Sequence, residues 1–377
     1  MKLLFTDFDI PYLLNDTEYA VGGACVRQYT FGKALYALGH TVGFLTWKGA
    51  NRYVDQADHP FDLVETYRKE GGISGLRYFY ERLPSVIRAI RAYQPDFVFH
   101  ITSSFNVGTW ALLCKVLGIP FVYLVANDID CDDRIKKRLS TREWVFFRLG
   151  LKHARLIVCQ NNYQLSQLQH RYPGKECIVL HNPYHQLDES IGKVPGKDRE
   201  YIAWVGRFCR QKNMNALYEV ARSLPHQTFK IAGKNDHPDA ETQAVLDKLK
   251  SCKNVVFVGY LKRQEIAYFL SKAYAVLNTS LYEGFSNVFL EALSVGTPIV
   301  TRQVTDPDGI IAHHNLGRAV EEYQELSGAV SEVVNHSAYD VLSKRCIAYV
   351  AKYHNAQYLA NKMSSKLAEI LDREKVI

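Results

Sequence analysis

The sequence predicts an α/β protein built from two doubly wound, Rossmann-like domains facing each other across a cleft. Two observations carry this. Short apolar runs alternate with helical stretches from Lys2 onward, the pattern of parallel strands joined by helices. The alternation breaks once, around Asn182, and then begins again. A chain of 377 residues, 47% hydrophobic, has room for two such cores.

In the first series the expected strands are "KLLFTDF", "TVGFLT", "DFVFHI", "PFVYLVA" and "RLIVCQ". Between them lie the helical stretches "CVRQYTFGKALYALG" and "FNVGTWALLCKVLG", each closed by a glycine suited to a helix C-terminus. The break, "NPYHQLDESIGKVPGKDRE", gathers Pro183, Gly192, Pro195 and Gly196 among charges and reads as a linker. The second series runs through "YIAWVG", "TFKIAG", "NVVFVG", "YAVLNTS" and "TPIVTR". The expected division is a first domain over 1–183, a linker over 184–198, a second domain over 199–355, and a last helix, 356–377, returning to the first domain. Doubly wound sheets bind ligands at the carboxyl ends of their strands, so the loops at those ends hold the candidate site residues.

Composition narrows the class. There is no run near the roughly 18 apolar residues of a membrane span, and acids enter "MKLLFTDFDI" too early for a secretory signal. The eight cysteines are scattered without a CxxC pair, so a reduced, cytoplasmic chain without structural zinc is expected. A net charge of +7 suits anionic partners such as nucleotides, lipid-linked phosphates or a membrane surface. No aromatic and basic stripe or known module points to nucleic acid.

Two stretches carry chemistry. In "YIAWVGRFCRQKNMNAL" an apolar strand ends at Gly206, and Arg207 and Lys212 follow where the chain leaves the sheet. Two cations on such a loop suit a diphosphate, the competing reading being a solvated basic loop that includes Arg210. In "SLYEGFSNVFLEALSVGTPIV", Gly284 permits close backbone approach. Ser286 is expected to cap a helix from Asn287 to Val295, ending at Gly296 before Pro298. The helix N-terminus is an anion site, with Glu283 just outside it and Glu291 more than one turn inside. Eight helical steps would separate the two carboxylates by about 12 Å. Glu291 lies on an otherwise apolar helix, where a buried carboxylate needs a partner.

Together with "FKIAGKND", "VVFVGYL" and "GGACVRQYTFGKALYALGHTVGFLT", these stretches resemble the retaining nucleotide-sugar glycosyltransferases of the GT-B fold, of the GT4 type. The similarity runs through nearly the whole chain in order. Its most specific element is glutamate, seven residues, glutamate, before glycine and proline. The resemblance implies an acceptor-binding first domain and a donor-binding second domain. It implies that Glu283 contacts the donor sugar, Glu291 the ribose, and Arg207 and Lys212 the diphosphate, helped by backbone N–H groups of Gly284, Phe285, Ser286 and Asn287. Gly22 and Gly23 match the glycine pair that approaches the phosphates, and Gly233 and Lys234 fall at the base-binding wall. A histidine that many relatives carry at the end of the strand matching "PFVYLVAND" is missing, since that region reads Ala126, Asn127, Asp128; Asn127 is the candidate to replace it and His100 the alternative.

The implied function is transfer of a hexose-type sugar from a nucleoside diphosphate donor, UDP or GDP, to a glycan or lipid-linked acceptor, with no metal and no other cofactor. The alternatives are a nucleotide-sugar epimerase or hydrolase on the same architecture, or a non-catalytic binder. Asp128 and Asp130 superficially resemble a DxD metal motif but are read as a loop or helix start. "DDRIKKRLSTREWVFFRLGLKHAR" is read first as a helix packing its aromatics on the core. A peripheral contact with the cytoplasmic face of a membrane is its second reading. His181 is read as structural.

Overall fold

The computed structural model describes residues 1–15, 22–54, 59–70, 73, 76–184, 194–234 and 239–375. Most of the expected linker, 185–193, and Asn235 and Asp236 of "FKIAGKND" lie outside them. The chain divides into two compact units, Met1–Pro183 with Ala356–Ile377, and Tyr184–Asn355.

The first unit holds a seven-stranded sheet of β1 (Lys2–Phe5), β2 (Thr41–Thr46), β3 (Asp62–Glu65), β4 (Phe97–Ile101), β5 (Phe121–Leu124), β6 (Leu156–Cys159) and β7 (Cys177–Val179). The order is β3-β2-β1-β4-β5-β6-β7, with every pairing parallel. Alternate residues face opposite layers, as the two-residue period of a strand requires. Leu3, Phe5, Phe97 and Phe99 join the helix Gly23–Ala37 and the last helix, Ala356–Lys375. Leu4, Val98, Phe121 and Tyr123 join the opposite layer, under the helices Leu83–Tyr93, Phe105–Leu117 and Thr141–His153. The last helix inserts Leu359, Met363, Leu367 and Ile370 into the first layer, so the end of the chain belongs to the first unit's core.

The glycines closing two helices behave as their residue type allows. Gly39 and Gly118 take left-handed φ of 86° and 69°, and the Gly118 N–H reaches back to the last turn. The helix Thr141–His153 buries one face, through Phe147, Gly150 and Leu151. Phe146 stacks on Phe105 with centroids 4.1 Å apart, and Phe147 is buried. A Cβ on Gly108 would lie 2.3 Å from the Phe146 carbonyl oxygen, and one on Gly150 would lie 2.7 Å from that of Val107. Glycine on both helices is what lets their backbones touch; of the three aromatics Phe147 is buried in the core, while Trp144 and Phe146 are half-buried.

The second unit holds six parallel strands, β8 (Tyr201–Val205), β9 (Phe229–Ala232), β10 (Val255–Gly259), β11 (Ala273–Leu277), β12 (Ile299–Arg302) and β13 (Gly317–Val320). Their order is β10-β9-β8-β11-β12-β13. In both sheets the order reverses beside the first strand, between β1 and β4 and between β8 and β11. Connections on the two sides of such a switch point diverge and leave a crevice at the carboxyl edge. Among the described residues no helix is long and apolar enough to cross a membrane.

Candidate active site

The second unit's switch point brings together the loops after β8 and β11. β8 ends at Val205, and Gly206 to Cys209 lead into a 3-10 turn, Arg210–Lys212, and the helix Met214–Ser223. β11 ends at Leu277, and residues 278–286 lead into the helix Asn287–Ser294. The two loops are laced by their own backbones. Leu281 N–H donates to the Gln211 carbonyl at 2.8 Å, and Gln211 Nε2 donates to the Tyr282 carbonyl at 2.9 Å. Thr279 Oγ1 donates to the Lys212 carbonyl at 2.7 Å and accepts from Trp204 Nε1 at 3.1 Å.

Inside that frame Lys212 meets Glu283. Lys212 Nζ lies 2.5 Å from Glu283 Oε1, and Ser280 Oγ donates to the same oxygen at 2.7 Å. Their side chains are 19% and 11% exposed. Ser280 is set by an Asx-type turn, its N–H donating to Asn278 Oδ1 at 2.9 Å. The carboxylate is therefore fixed by a cation from one loop and a hydroxyl from the other. Lys212, expected on a diphosphate, has Glu283 as its partner here. Arg207 is exposed at the end of β8 and has no ion-pair partner among the described residues.

The glutamates hold different positions. Glu283 precedes the helix and is buried; Glu291 is half-buried within it. Gly284, Phe285 and Ser286 are buried in the approach to the helix, and Asn287 opens it. Phe285 sits 4.9 Å from the His354 ring. One local expectation is corrected: Ser286 occupies the N-cap position but its side chain makes no capping bond. The backbone N–H groups of the first turn are accordingly not satisfied by that hydroxyl. At the other end Gly296, at φ 75°, closes the helix, with Thr297 N–H donating to Ala292 at 2.9 Å.

Gly233 has a packing reason to be glycine. A Cβ there would lie 2.0 Å from the Gly206 carbonyl oxygen, so the turns after β8 and β9 touch backbone to backbone. Phe208 N–H donates to the Lys234 carbonyl at 3.2 Å, and the Lys234 side chain is exposed.

Gly22, Gly23 and Asn127 belong to the other unit. Gly22 is the extended residue before the helix Gly23–Ala37, with open space where a Cβ would go. That helix start is tied to the sheet. Arg27 Nη1 donates to the Val125 carbonyl at 2.6 Å, and Gln28 Nε2 donates to Asp7 Oδ2 at 2.6 Å. Burial pushes the Asp7 carboxyl up to about 6 and the Arg27 guanidinium down to about 9.

Asn127 is half-buried after β5 and caps a 3-10 turn, Asp128–Cys131, with Ile129 N–H donating to its Oδ1 at 3.4 Å. Both aspartates of the DxD-like pair are engaged by protein. Asp128 Oδ1 accepts from Asn161 and Gln164, each at 2.9 Å. Asp130 accepts from Ser103 Oγ at 2.6 Å and from the Asn127 N–H at 3.0 Å. Among the described residues no group of three His, Cys, Asp or Glu side chains is placed to hold a metal. His100 is 7% exposed beside Thr6 Oγ1, at 2.6 Å, and burial pushes its imidazole down to about 3. It is a neutral core residue under Trp110. His181 Nδ1 lies 3.0 Å from the Gln160 carbonyl, a structural contact at the end of the first unit.

Sequence reasoning passed over Ser280, Thr279 and Gln211. The polar triplet Asn278, Thr279, Ser280 after an apolar strand was the available signal. It also passed over Thr102, a β-branched residue at φ 75° where β4 ends.

Comparison with known proteins shows the family and the fold. Residues 188–353 match the family model "Glycosyl transferases group 1", and residues 21–185 match "Glycosyltransferase Family 4". The chain is 31% identical over 340 residues to the alpha-monoglucosyldiacylglycerol synthase of Acholeplasma laidlawii, covering 81% of this chain and 83% of that protein. The chain belongs to the group 1, family 4 glycosyltransferases. This glycosyltransferase is also 22% identical over 341 residues to an uncharacterized glycosyltransferase of Methanocaldococcus jannaschii, across 89% of each chain. Its fold is that of Anabaena HepE, solved with UDP and glucose. The TM-score is 0.75 at 15% identity, covering 98% of this chain and 100% of that one.

Proposed function

We propose that this glycosyltransferase moves a hexose-type sugar from a nucleoside diphosphate donor to a glycan or lipid-linked acceptor, in glycan or polysaccharide biosynthesis. Transfer retains the anomeric configuration and uses no metal ion. The observation that carries the reading is the Lys212–Glu283 pair, with Ser280, at the second unit's switch point, one short loop from the start of the helix Asn287–Ser294. In this reading Arg207, Lys212 and the N–H groups of Gly284, Phe285, Ser286 and Asn287 answer the negative charge that grows on the leaving diphosphate oxygen. Glu283, held by two donors on one oxygen, orients the sugar and faces the positive charge developing on it. Glu291 takes the ribose hydroxyls. Gly233 and Lys234 border the base, and Gly22 and Gly23 let the first unit's backbone approach the phosphates. The leaving phosphate accepts the acceptor's proton, and Asn127 contributes a hydrogen bond. HepE, solved with UDP and glucose, supports a donor of this type, and the name of the A. laidlawii relative supports a lipid acceptor.

The test is a thermal-shift screen of UDP, GDP and ADP sugars. The stabilising donor is then offered with glycolipid and oligosaccharide acceptors, and the product is read by mass spectrometry and its anomeric proton by NMR. A product of inverted configuration would overturn the retaining step. Stabilisation by no donor would overturn the donor assignment.

A further inference from the structure

Among the described residues of the second unit, one cation is buried. Arg199, just ahead of β8, is 3% exposed and forms no ion pair with a described carboxylate. Its hydrogen bonds go to neutral acceptors. Nη1 donates to the Ala273 carbonyl and to Thr297 Oγ1, each at 2.6 Å, and Nη2 donates to the Val295 and Gly296 carbonyls at 3.2 and 3.0 Å. Ser343 Oγ lies 3.4 Å from Nη2, and the guanidinium carbon sits 5.2 Å from the centre of the Tyr339 ring. Asp340, the acid in the first turn of the helix Tyr339–Tyr353, accepts instead from the Gly196 N–H at 2.9 Å.

A full charge buried among neutral groups is costly, and packing alone is met as well by an apolar side chain of similar volume. The direction the charge faces gives it a use. Val295 and Gly296 stand at the C-terminal end of the helix Asn287–Ser294, the negative pole of its dipole, where a cation is favoured. Arg199 precedes β8 and Ala273 opens β11, so the guanidinium lies at the amino edge of the sheet, at the opposite end of that helix from Glu283. The contact is braced from behind. Thr297 Oγ1 donates onward to the Leu270 carbonyl at 2.7 Å, and the Gly296 turn packs so closely that a Cβ there would lie 2.1 Å from Ser343 Oγ.

We propose that Arg199 is a positioning residue for the donor diphosphate, acting through the helix Asn287–Ser294. It pins the helix by its last carbonyls and neutralises the negative pole, so the positive N-terminal end stands uncompensated toward the phosphates. The inference rests on the donor reading of that helix. Eight residues span about 12 Å, which with one hydrogen bond puts the charge about 15 Å from the phosphates. At that distance and an effective dielectric constant of about 20, one charge changes the affinity of a doubly charged ligand at least about tenfold and leaves that of an uncharged one unaltered. A buried charge is screened little by salt, so the effect persists at ordinary ionic strength.

The test compares the nucleoside diphosphate that binds wild type with the uncharged nucleoside of the same base, the first by isothermal titration and the second by competition against it. Arg199→Met should weaken the diphosphate at least about tenfold and the nucleoside less than about twofold, while Arg199→Lys, which keeps the charge, should hold the diphosphate within about threefold. Ser343→Asp leaves Arg199 in place and sets a carboxylate beside it; the diphosphate alone should again weaken, by about fivefold or more. This arm decides the question if Arg199→Met does not fold. An equal loss for nucleoside and diphosphate makes Arg199 a structural brace and overturns the proposal, as does unchanged diphosphate affinity in Ser343→Asp. Wild type that binds no nucleoside diphosphate overturns the donor reading and this inference with it, whereas wild type that binds one as well as Arg199→Met does overturns the Arg199 assignment alone.

Discussion

The Lys212–Glu283 pair can be measured as a coupling energy. At 2.5 Å and an effective dielectric constant of about 20, the gross attraction is roughly 6 to 7 kcal/mol. Desolvating two ions costs several kcal/mol, and both side chains keep some solvent contact, so about 2 to 3 kcal/mol of coupling is expected. Lys212→Met keeps the stem beside Gly206 and removes the charge, which leaves Glu283 with Ser280 as its donor among the described residues. Lys212→Met, Glu283→Gln and the double variant are compared by urea unfolding. Each single variant should lose about 2 to 3 kcal/mol, and the double variant should lose far less than the sum. Additive losses, with coupling under about 0.5 kcal/mol, would refute the pair as a structural unit. The same variants separate binding from turnover. Glu283→Gln releases Lys212 for a diphosphate, so nucleoside diphosphate affinity should not fall while transfer slows.

Two further predictions rest on other features. Gly233→Ala drives a methyl to 2.0 Å from the Gly206 carbonyl oxygen and must part the turns after β8 and β9 by roughly 1 Å; a shift of that size costs transfer on the order of a hundredfold, and unchanged initial rates would count against the backbone contact. Burial raises the Asp306 carboxyl from 3.8 to about 6, against its hydrogen bonds from the Ile311 and Ala312 N–H groups. A folded value above the unfolded one gives stability that is complete below about pH 4 and lost as pH rises through about 6, worth about 3 kcal/mol. Asp306→Asn should remove that part of the slope, and parallel urea stability curves for the two proteins between pH 4 and 7 would refute it.

The strands legible in the sequence are the inner ones. "DFVFHI" and "PFVYLVA" are apolar at nearly every position because both faces are covered. The three strands missed, β3 "DLVE", β7 "CIV" and β13 "GRAV", are short and stand at sheet edges, where half the hydrogen bonds and part of the burial are absent. The placement of the two glutamates was legible, Glu283 before the helix Asn287–Ser294 and Glu291 within it, because the helix start and the terminating Gly296 can be read from the residue types. What escaped was long-range. Nothing local in "NTS" or in Gln211 says that loops some seventy residues apart will be laced together, since that depends on β8 and β11 lying side by side.

The proposed function requires the second unit to hold a nucleoside diphosphate through Arg207 and Glu291. Isothermal titration of UDP, GDP and ADP into wild type, Arg207→Ala and Glu291→Ala tests it most directly. One of the three nucleotides should bind wild type, and each variant should weaken it at least about tenfold, the worth of a lost charge-assisted hydrogen bond, without a change in melting temperature. Equal affinity of all three proteins for that nucleotide would contradict it.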